Sequence, residues 1–172
     1  DKNRNNWLFV DVIQLILPNA RIVDVRRHPL ACGLSNFKQL FAQGQTFSYS
    51  LEDIGRYYRD YVGMMQRFDE ALPGRSHRIV YEQLVADPRT TIEHLLAYIG
   101  LPFDEQCLNF HDNPRAVRTP SSEQVRRPIN REGLEQWRPF ERWLVPLKAS
   151  LGSVLETYPE VPPDLKSGTA SA

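Results

Sequence analysis

Between Arg21 and Gln39 the sequence runs RIVDVRRHPLACGLSNFKQ, which reads as a strand, a basic turn and a helix in succession. Ile22, Val23 and Val25 predict a short buried strand. Pro29 suits the first turn of a helix, where its missing N–H costs nothing, and His28 stands where it can cap that helix. A strand feeding a helix N-terminus makes an anion site, because unpaired N–H groups and the positive end of the helix dipole converge there. Arg27 stands at the junction, and Ser35 follows roughly two helical turns along, able to reach the same side. A guanidinium is a planar fork matched to phosphate oxygens, and a serine hydroxyl adds one more bond. These residues alone equally allow a surface ion pair and an ordinary helix serine.

The rest of the chain limits what such a unit can serve. Its 172 residues amount to one domain, and 41% hydrophobic content supports a sizeable core. Lys+Arg and Asp+Glu both number 21, so the formal charge is zero, without the basic excess of a nucleic-acid binder. The charge is uneven, however. Residues 114–131 carry five arginines (115, 118, 126, 127 and 131) against Glu123 alone, and an RNA-binding segment built on that loop is a competing possibility that the neutral whole disfavours. Cys32 and Cys107 are isolated thiols without metal-ligand spacing and fit a reduced, cytoplasmic compartment. The four histidines are scattered, so no metal site is expected. Neither a signal peptide nor a membrane span is visible. The chain opens on Asp1 rather than an initiator Met, as expected of a piece of a longer protein.

In chain order, Asn6 to Leu17 predicts a helix with Asn6 as N-cap, Pro18 as stop, and Leu8, Val12, Leu15 and Ile16 as its apolar side. The Arg21–Val25 strand follows, then a helix over Pro29–Ala42 and a polar loop holding Phe47 and Tyr49. Ser50 to Leu72 predicts the longest helix. Ser50 and Asp53 resemble a capping box, and Leu51, Ile54, Tyr58, Tyr61, Met65, Phe68 and Leu72 form one core-facing stripe. Arg78–Tyr81 predicts a second strand. Asp87-Pro88 opens a helix whose Ile92, Leu95, Leu96 and Ile99 face the core, closed by Gly100 and Pro102. Phe103 to Phe110 reads as a shorter helix or turn, and Asn113 to Asn130 as an irregular basic loop. Glu132 to Leu155 is again helical, restarted at Pro139 and Pro146, with Trp137, Trp143, Leu144, Leu147 and Leu151 packing. Strands alternating with helices argue for a parallel α/β sheet, yet two strands make no stable sheet alone, so further strands are expected elsewhere in the protein.

Several stretches together carry a resemblance: DK at the start, RRHPLACGLSNFKQLFAQGQTFSY, GRYYRDY, YEQLVADP, IGLPFDEQCLNFH, and RTPSSEQVRRPI followed by Trp137. They resemble the sulfotransferase family over the chain up to about Tyr158. The likeness is greatest to bacterial members often fused to tetratricopeptide repeats and related to protein-tyrosine sulfotransferases. The resemblance implies a P-loop-kinase-like α/β fold with a central parallel sheet and flanking helices. Residues 1–158 would be the C-terminal portion of that domain, and 159–172 a flexible tail. It implies transfer of a sulfuryl group from 3′-phosphoadenosine 5′-phosphosulfate (PAPS) to a hydroxyl of a protein tyrosine, a carbohydrate or a small molecule. An upstream tetratricopeptide-repeat domain, no nucleic acid and no metal belong to the same expectation.

Residue by residue, the resemblance puts the 3′-phosphate on Arg27 and Ser35 and a nucleotide contact on Tyr81. The late loop that folds over the nucleotide matches Ser121, Ser122, Glu123, Gln124, Val125, Arg126, Arg127, Pro128, Ile129 and Asn130. Lys2 and Ser121 match the transition-state stabilisers of the tyrosylprotein branch. A further family Arg is Gln39 here, and a family Lys before the late Trp is Gln136, so neither contact is carried over. Tyr81 on a strand is otherwise a core residue, Lys2 a solvated terminal lysine, Ser121 a loop cap, and Arg126 and Arg127 partners of Glu123 or Asp112. The family's first strand, its phosphate-cradling loop and its acidic base have no counterpart here and are expected upstream. The alternative is a non-catalytic nucleotide-binding or protein-interaction module derived from the same fold.

Overall fold

The computed structural model describes residues 2–39, 41, 44–113 and 124–166. Ser121, Ser122 and Glu123 therefore lie outside the described residues, as does the side chain of Gln124. The chain enters through a 3-10 turn at Asn6–Phe9, helix α1 (Val10–Ile16), strand β1 (Ile22–Arg26) and helix α2 (Pro29–Lys38). The long α3 (Leu51–Ala71), strand β2 (Ser76–Val80), α4 (Tyr81–Ala86) and α5 (Pro88–Ile99) follow. Short 3-10 turns lead to α6 (Val145–Leu151) and α7 (Ser153–Thr157). β1 and β2 pair in parallel, with Ile22 opposite Ser76 and Arg26 opposite Val80. This is the α/β arrangement expected from the alternation of strands and helices, reduced to two strands among the described residues.

The core lies between α2, α3 and α6. Leu30, Leu34, Ile54, Tyr58, Val62, Leu144, Leu147 and Leu151 form one buried cluster, closed from the C-terminal side by Val154 and Val161. A Cβ at Gly55 would meet Ser150 Cβ at 2.6 Å and the Leu147 carbonyl oxygen at 3.2 Å, so the missing side chain is what lets α3 and α6 approach. Ser50 caps α3 as expected, its hydroxyl accepting from Asp53 N at 3.2 Å. Asp87 caps α5, and Gly100 closes it at φ 80°. The stripe on α3 is also core: Ile54, Tyr58, Met65 and Phe68 are buried, with Leu72 at its frayed end exposed.

Several expectations are corrected. The buried side of β1 carries Asp24 and Arg26, not Val23 and Val25, which are 40% and 58% exposed. A strand alternates, so burying both charges on the α3 side turns the valines outward. Helix α1 likewise buries Val10 and Gln14 and leaves Val12, Leu15 and Ile16 exposed. Helix α2 stops at Lys38, and α1 begins after a 3-10 turn. Tyr81 opens α4, a helix the sequence did not announce, rather than ending β2. In α5 only Leu96 is fully buried, and Trp143 is 53% exposed. The expected tail begins with packed residues: Val161 and Pro162 are buried, and Asp164 accepts hydrogen bonds from Arg59 at 3.2 Å and Ser153 at 2.9 Å.

Under the sheet, one carboxylate organises the charge. Asp24 accepts from Arg26 Nε at 3.2 Å, from Arg78 Nε at 3.0 Å and from the Tyr61 hydroxyl. Arg78 also binds Asp69 at 2.6 Å. The Arg26 and Asp24 side chains are 1% and 2% exposed, and Arg26 Nη2 is buried without a partner among the described residues. Buried charge survives only when paired and hydrogen-bonded in this way.

Candidate functional site

The turn from β1 to α2 brings together Arg27, His28, Tyr81 and Glu82, because β1 and β2 run side by side and each feeds a helix at the same end. The Arg27 guanidinium lies over the Tyr81 ring, 5.3 Å from its centroid, and its Nη2 donates to the Gly133 carbonyl. Its Nε is buried with no partner among the described residues. Cation–ring contact and the carbonyl fix the plane of the fork while leaving donors for an anion.

His28 does occupy the N-cap position of α2, but its side chain makes no capping bond. Its backbone N–H instead donates to Glu82 Oε1 at 3.0 Å. Pro29 contributes no N–H, and the Glu82 carboxylate already sits at this end of the helix. The His28 ring stacks on Trp137, with centroids 5.1 Å apart and planes 3° from parallel, and meets the edge of Tyr158 at 5.4 Å. Burial pushes the His28 imidazole below its ordinary range against the pull of Glu82, with Arg138 and Arg27 adding to the lowering, so the ring stays neutral at pH 7. Burial likewise pushes the Cys32 thiol up.

Of the residues marked in the sequence, Arg27 and Tyr81 come together. Ser35 is exposed on α2. Lys2 is exposed too, and Arg4, two residues on, donates to Asn36 Oδ1 at 3.0 Å, tying that segment to the stretch of α2 that carries Ser35. In the late loop, Gln124–Arg126 form a 3-10 turn, and Arg126 donates to the Asn113 carbonyl. Val125 and Ile129 are half-buried, while Arg127, Pro128 and Asn130 are exposed. Phe47 stacks on Tyr57 at 3.9 Å, a packing role, and Tyr49 is exposed.

Sequence reasoning missed Gly133, Glu82, Tyr58 and Tyr158 as parts of this site. Gly133 is there because of what faces it: a Cβ would meet Arg27 Nη2 at 3.0 Å and the Tyr81 hydroxyl at 3.6 Å. Gly133→Ala is therefore expected to move the end of the Arg27 side chain at little cost in stability. Because the displaced group is flexible, the melting temperature should hold while affinity for the anion falls by about fivefold, one hydrogen bond's worth. Calorimetric titration beside a thermal melt checks both. A variant that loses stability and keeps affinity would contradict this account of Gly133.

A cavity of about 580 Å³ runs along β1 and reaches the turn itself: it is lined by Ile22 to Arg27 and walled by Trp7, Val10, Tyr57, Tyr58 and Tyr61 among others. It lies along the strand, whose only partner among the described residues is β2. No helix among the described residues is long and apolar enough to cross a membrane, and no group of metal-ligating side chains occurs among them.

Comparison with known proteins places the chain in a family. A sequence model of the sulfotransferase family matches residues 1–105, which include β1, the Arg27 turn, α2, Tyr81 and Glu82. A protein of Aquifex aeolicus (strain VF5), described only as uncharacterized, is 32% identical over 150 residues, covering 86% of this chain and 20% of that protein. The chain thus spans about a fifth of the length of the curated relative it matches. With the family model covering well over half of its residues, the chain belongs to the sulfotransferase family.

Proposed function

We propose that this chain is the nucleotide-anchoring part of a sulfotransferase that moves a sulfuryl group from PAPS to a hydroxyl acceptor, with Arg27 on the 3′-phosphate. The observation that carries the proposal is the Arg27 fork at the β1–α2 turn, laid over Tyr81 with its buried Nε unpartnered among the described residues, in a member of this family. Ser35 adds a bond to the same phosphate, Tyr81 supports the nucleotide, and Ser121 to Asn130 cover it. Sulfuryl transfer breaks the bond from sulfur to the nucleotide phosphate and forms one to the acceptor oxygen. Its main demand is stabilisation of charge growing on the leaving phosphate. Lys2 as a compact cation and Ser121 as a neutral donor suit that task.

The remaining machinery is assigned to sequence upstream of Asp1: a strand, a loop whose backbone cradles the phosphosulfate, and a carboxylate base for the acceptor proton. Three features support this. The cavity beside β1 follows the strand, Val23 and Val25 turn outward, and the relative is far longer than this chain. A tetratricopeptide-repeat region, a cytoplasmic location and a protein tyrosine as acceptor belong to the same proposal.

The test is transfer of labelled sulfate from PAPS to a panel of phenol, tyrosyl-peptide and sugar acceptors. The full-length protein should turn over, and residues 1–172 alone should not, since in-line transfer needs cradle, base and charge stabilisation together. Turnover by residues 1–172 that Lys2→Ala abolishes would show that the catalytic machinery has been misplaced. Nucleotide binding by the full-length protein without transfer to any acceptor would favour a non-catalytic module.

A further inference from the structure

We propose that Tyr58 and Glu82 clamp the single peptide unit joining Arg27 to His28, and that this clamp is the positioning device of the Arg27 anchor. The inference rests on the assignment of Arg27 to the 3′-phosphate and gives a role to two residues to which the family resemblance assigned none.

Both polar groups of that peptide are taken by side chains from different elements. The Tyr58 hydroxyl, from α3, donates to the Arg27 carbonyl oxygen at 2.8 Å. Glu82 Oε1, from the first turn of α4, accepts from the His28 N–H at 3.0 Å. Among the described residues neither group has a sheet or helix partner to compete, because β1 ends at Arg26 and α2 begins at Pro29. A peptide between two elements is ordinarily free to rotate within its allowed backbone basin, and its rotation swings the attached side chain. Held at both ends, it fixes the Cα–Cβ direction of Arg27.

The clamp is itself braced. The Tyr158 hydroxyl, just past α7, donates to the second oxygen of Glu82, so both carboxylate oxygens are engaged. Trp137 stacks on the face of His28, and Tyr58 is 8% exposed at the edge of the main core. Burial holds the Tyr58 and Tyr158 hydroxyls far above the ordinary phenol range, so both remain protonated donors at physiological pH. Tyr81, next to Glu82, lies under the guanidinium. The first turn of α4 thus holds Arg27 at both its backbone and its head, and preorganisation of this kind lowers the ordering cost of binding.

The test compares binding of 3′-phosphoadenosine 5′-phosphate and AMP to the full-length protein, with a thermal melt on every variant. Tyr58→Phe removes one oxygen and leaves the packing. It should lower affinity for the 3′-phosphorylated nucleotide by about fivefold, leave AMP binding unchanged, and so narrow the discrimination between them. Glu82→Ala should narrow it at least as far, whereas Glu82→Gln, which keeps an acceptor for the His28 N–H, should restore most of it. A purely structural role predicts lower melting temperatures with the discrimination intact. If folded Tyr58→Phe and Glu82→Ala both keep the wild-type ratio while Arg27→Ala abolishes it, the clamp has no positioning role. If Arg27→Ala itself leaves the ratio untouched, the phosphate assignment fails and the clamp's role falls with it. Tyr58→Phe decides the matter even if Glu82→Ala does not fold.

Discussion

Asp24→Ala should melt the domain at a far lower temperature than any surface substitution. The carboxylate it removes accepts from Arg26, Arg78 and Tyr61 at once. Arg78 retains Asp69, but Arg26 would stay 2% exposed with no anion beside it. Breaking a buried pair by deleting one partner costs about 3–5 kcal/mol, because the survivor is an uncompensated charge in low dielectric. That is a large share of the roughly 5–15 kcal/mol that holds a domain together. At about 2–4 °C per kcal/mol for a domain of this size, the transition should fall by about 10 °C. Near-ultraviolet circular dichroism of the full-length protein on heating reads the shift. Asp24→Leu combined with Arg26→Met and Tyr61→Phe should recover much of the loss, since replacing both ions and the hydroxyl that bonds them by apolar groups leaves no orphan among the three. A single mutant that melts within about 2 °C of wild type would mean that the Asp24 network holds little of the fold together.

The fold was legible where local chemistry decides it. Ser50 and Asp87 open their helices by side-chain capping, Gly100 closes α5 through its left-handed backbone, Pro29 opens α2, and the stripe from Ile54 to Phe68 faces the core. What went astray was orientation. Ile22, Val23 and Val25 look like a buried strand by composition, yet Asp24 and Arg26 take the inner side, since a network of three donors on one carboxylate satisfies them there. The outward valines follow from the period of two, not from any preference for water. Helix α1 shows the same effect. Its apolar residues mark a face that needs covering, and the sequence cannot say by what.

The site divides in the same way. Arg27 and Tyr81 were singled out through the family's motifs, and their contact follows from two parallel strands that end side by side. Tyr58 and Glu82 stand inside the same set of motifs without an assigned role, and Gly133 lies outside them. Tyr58 sits in a core stripe, and its hydroxyl acquires a task only when α3 packs beneath the turn. Gly133 lies 106 residues from the arginine that it accommodates. Long-range neighbours of this kind leave no local pattern to read.

Discrimination between 3′-phosphoadenosine 5′-phosphate and AMP by the full-length protein tests the central claim most directly. The two ligands differ only in the 3′-phosphate, so their affinity ratio isolates whatever group holds it. The Arg27 guanidinium is aligned in advance by Tyr81 and Gly133, and a charge-assisted bond from it is worth about 1.5–3 kcal/mol. Arg27→Ala should therefore weaken binding of the 3′-phosphorylated nucleotide by about 10- to 150-fold and leave AMP binding nearly unchanged. Arg67→Ala, an exposed arginine on α3, is the control, with no effect expected on the ratio. Isothermal titration of wild type and variants with both nucleotides supplies the numbers. The account predicts a wild-type preference for the 3′-phosphorylated ligand that largely disappears in Arg27→Ala; a folded mutant that keeps the wild-type preference would contradict it.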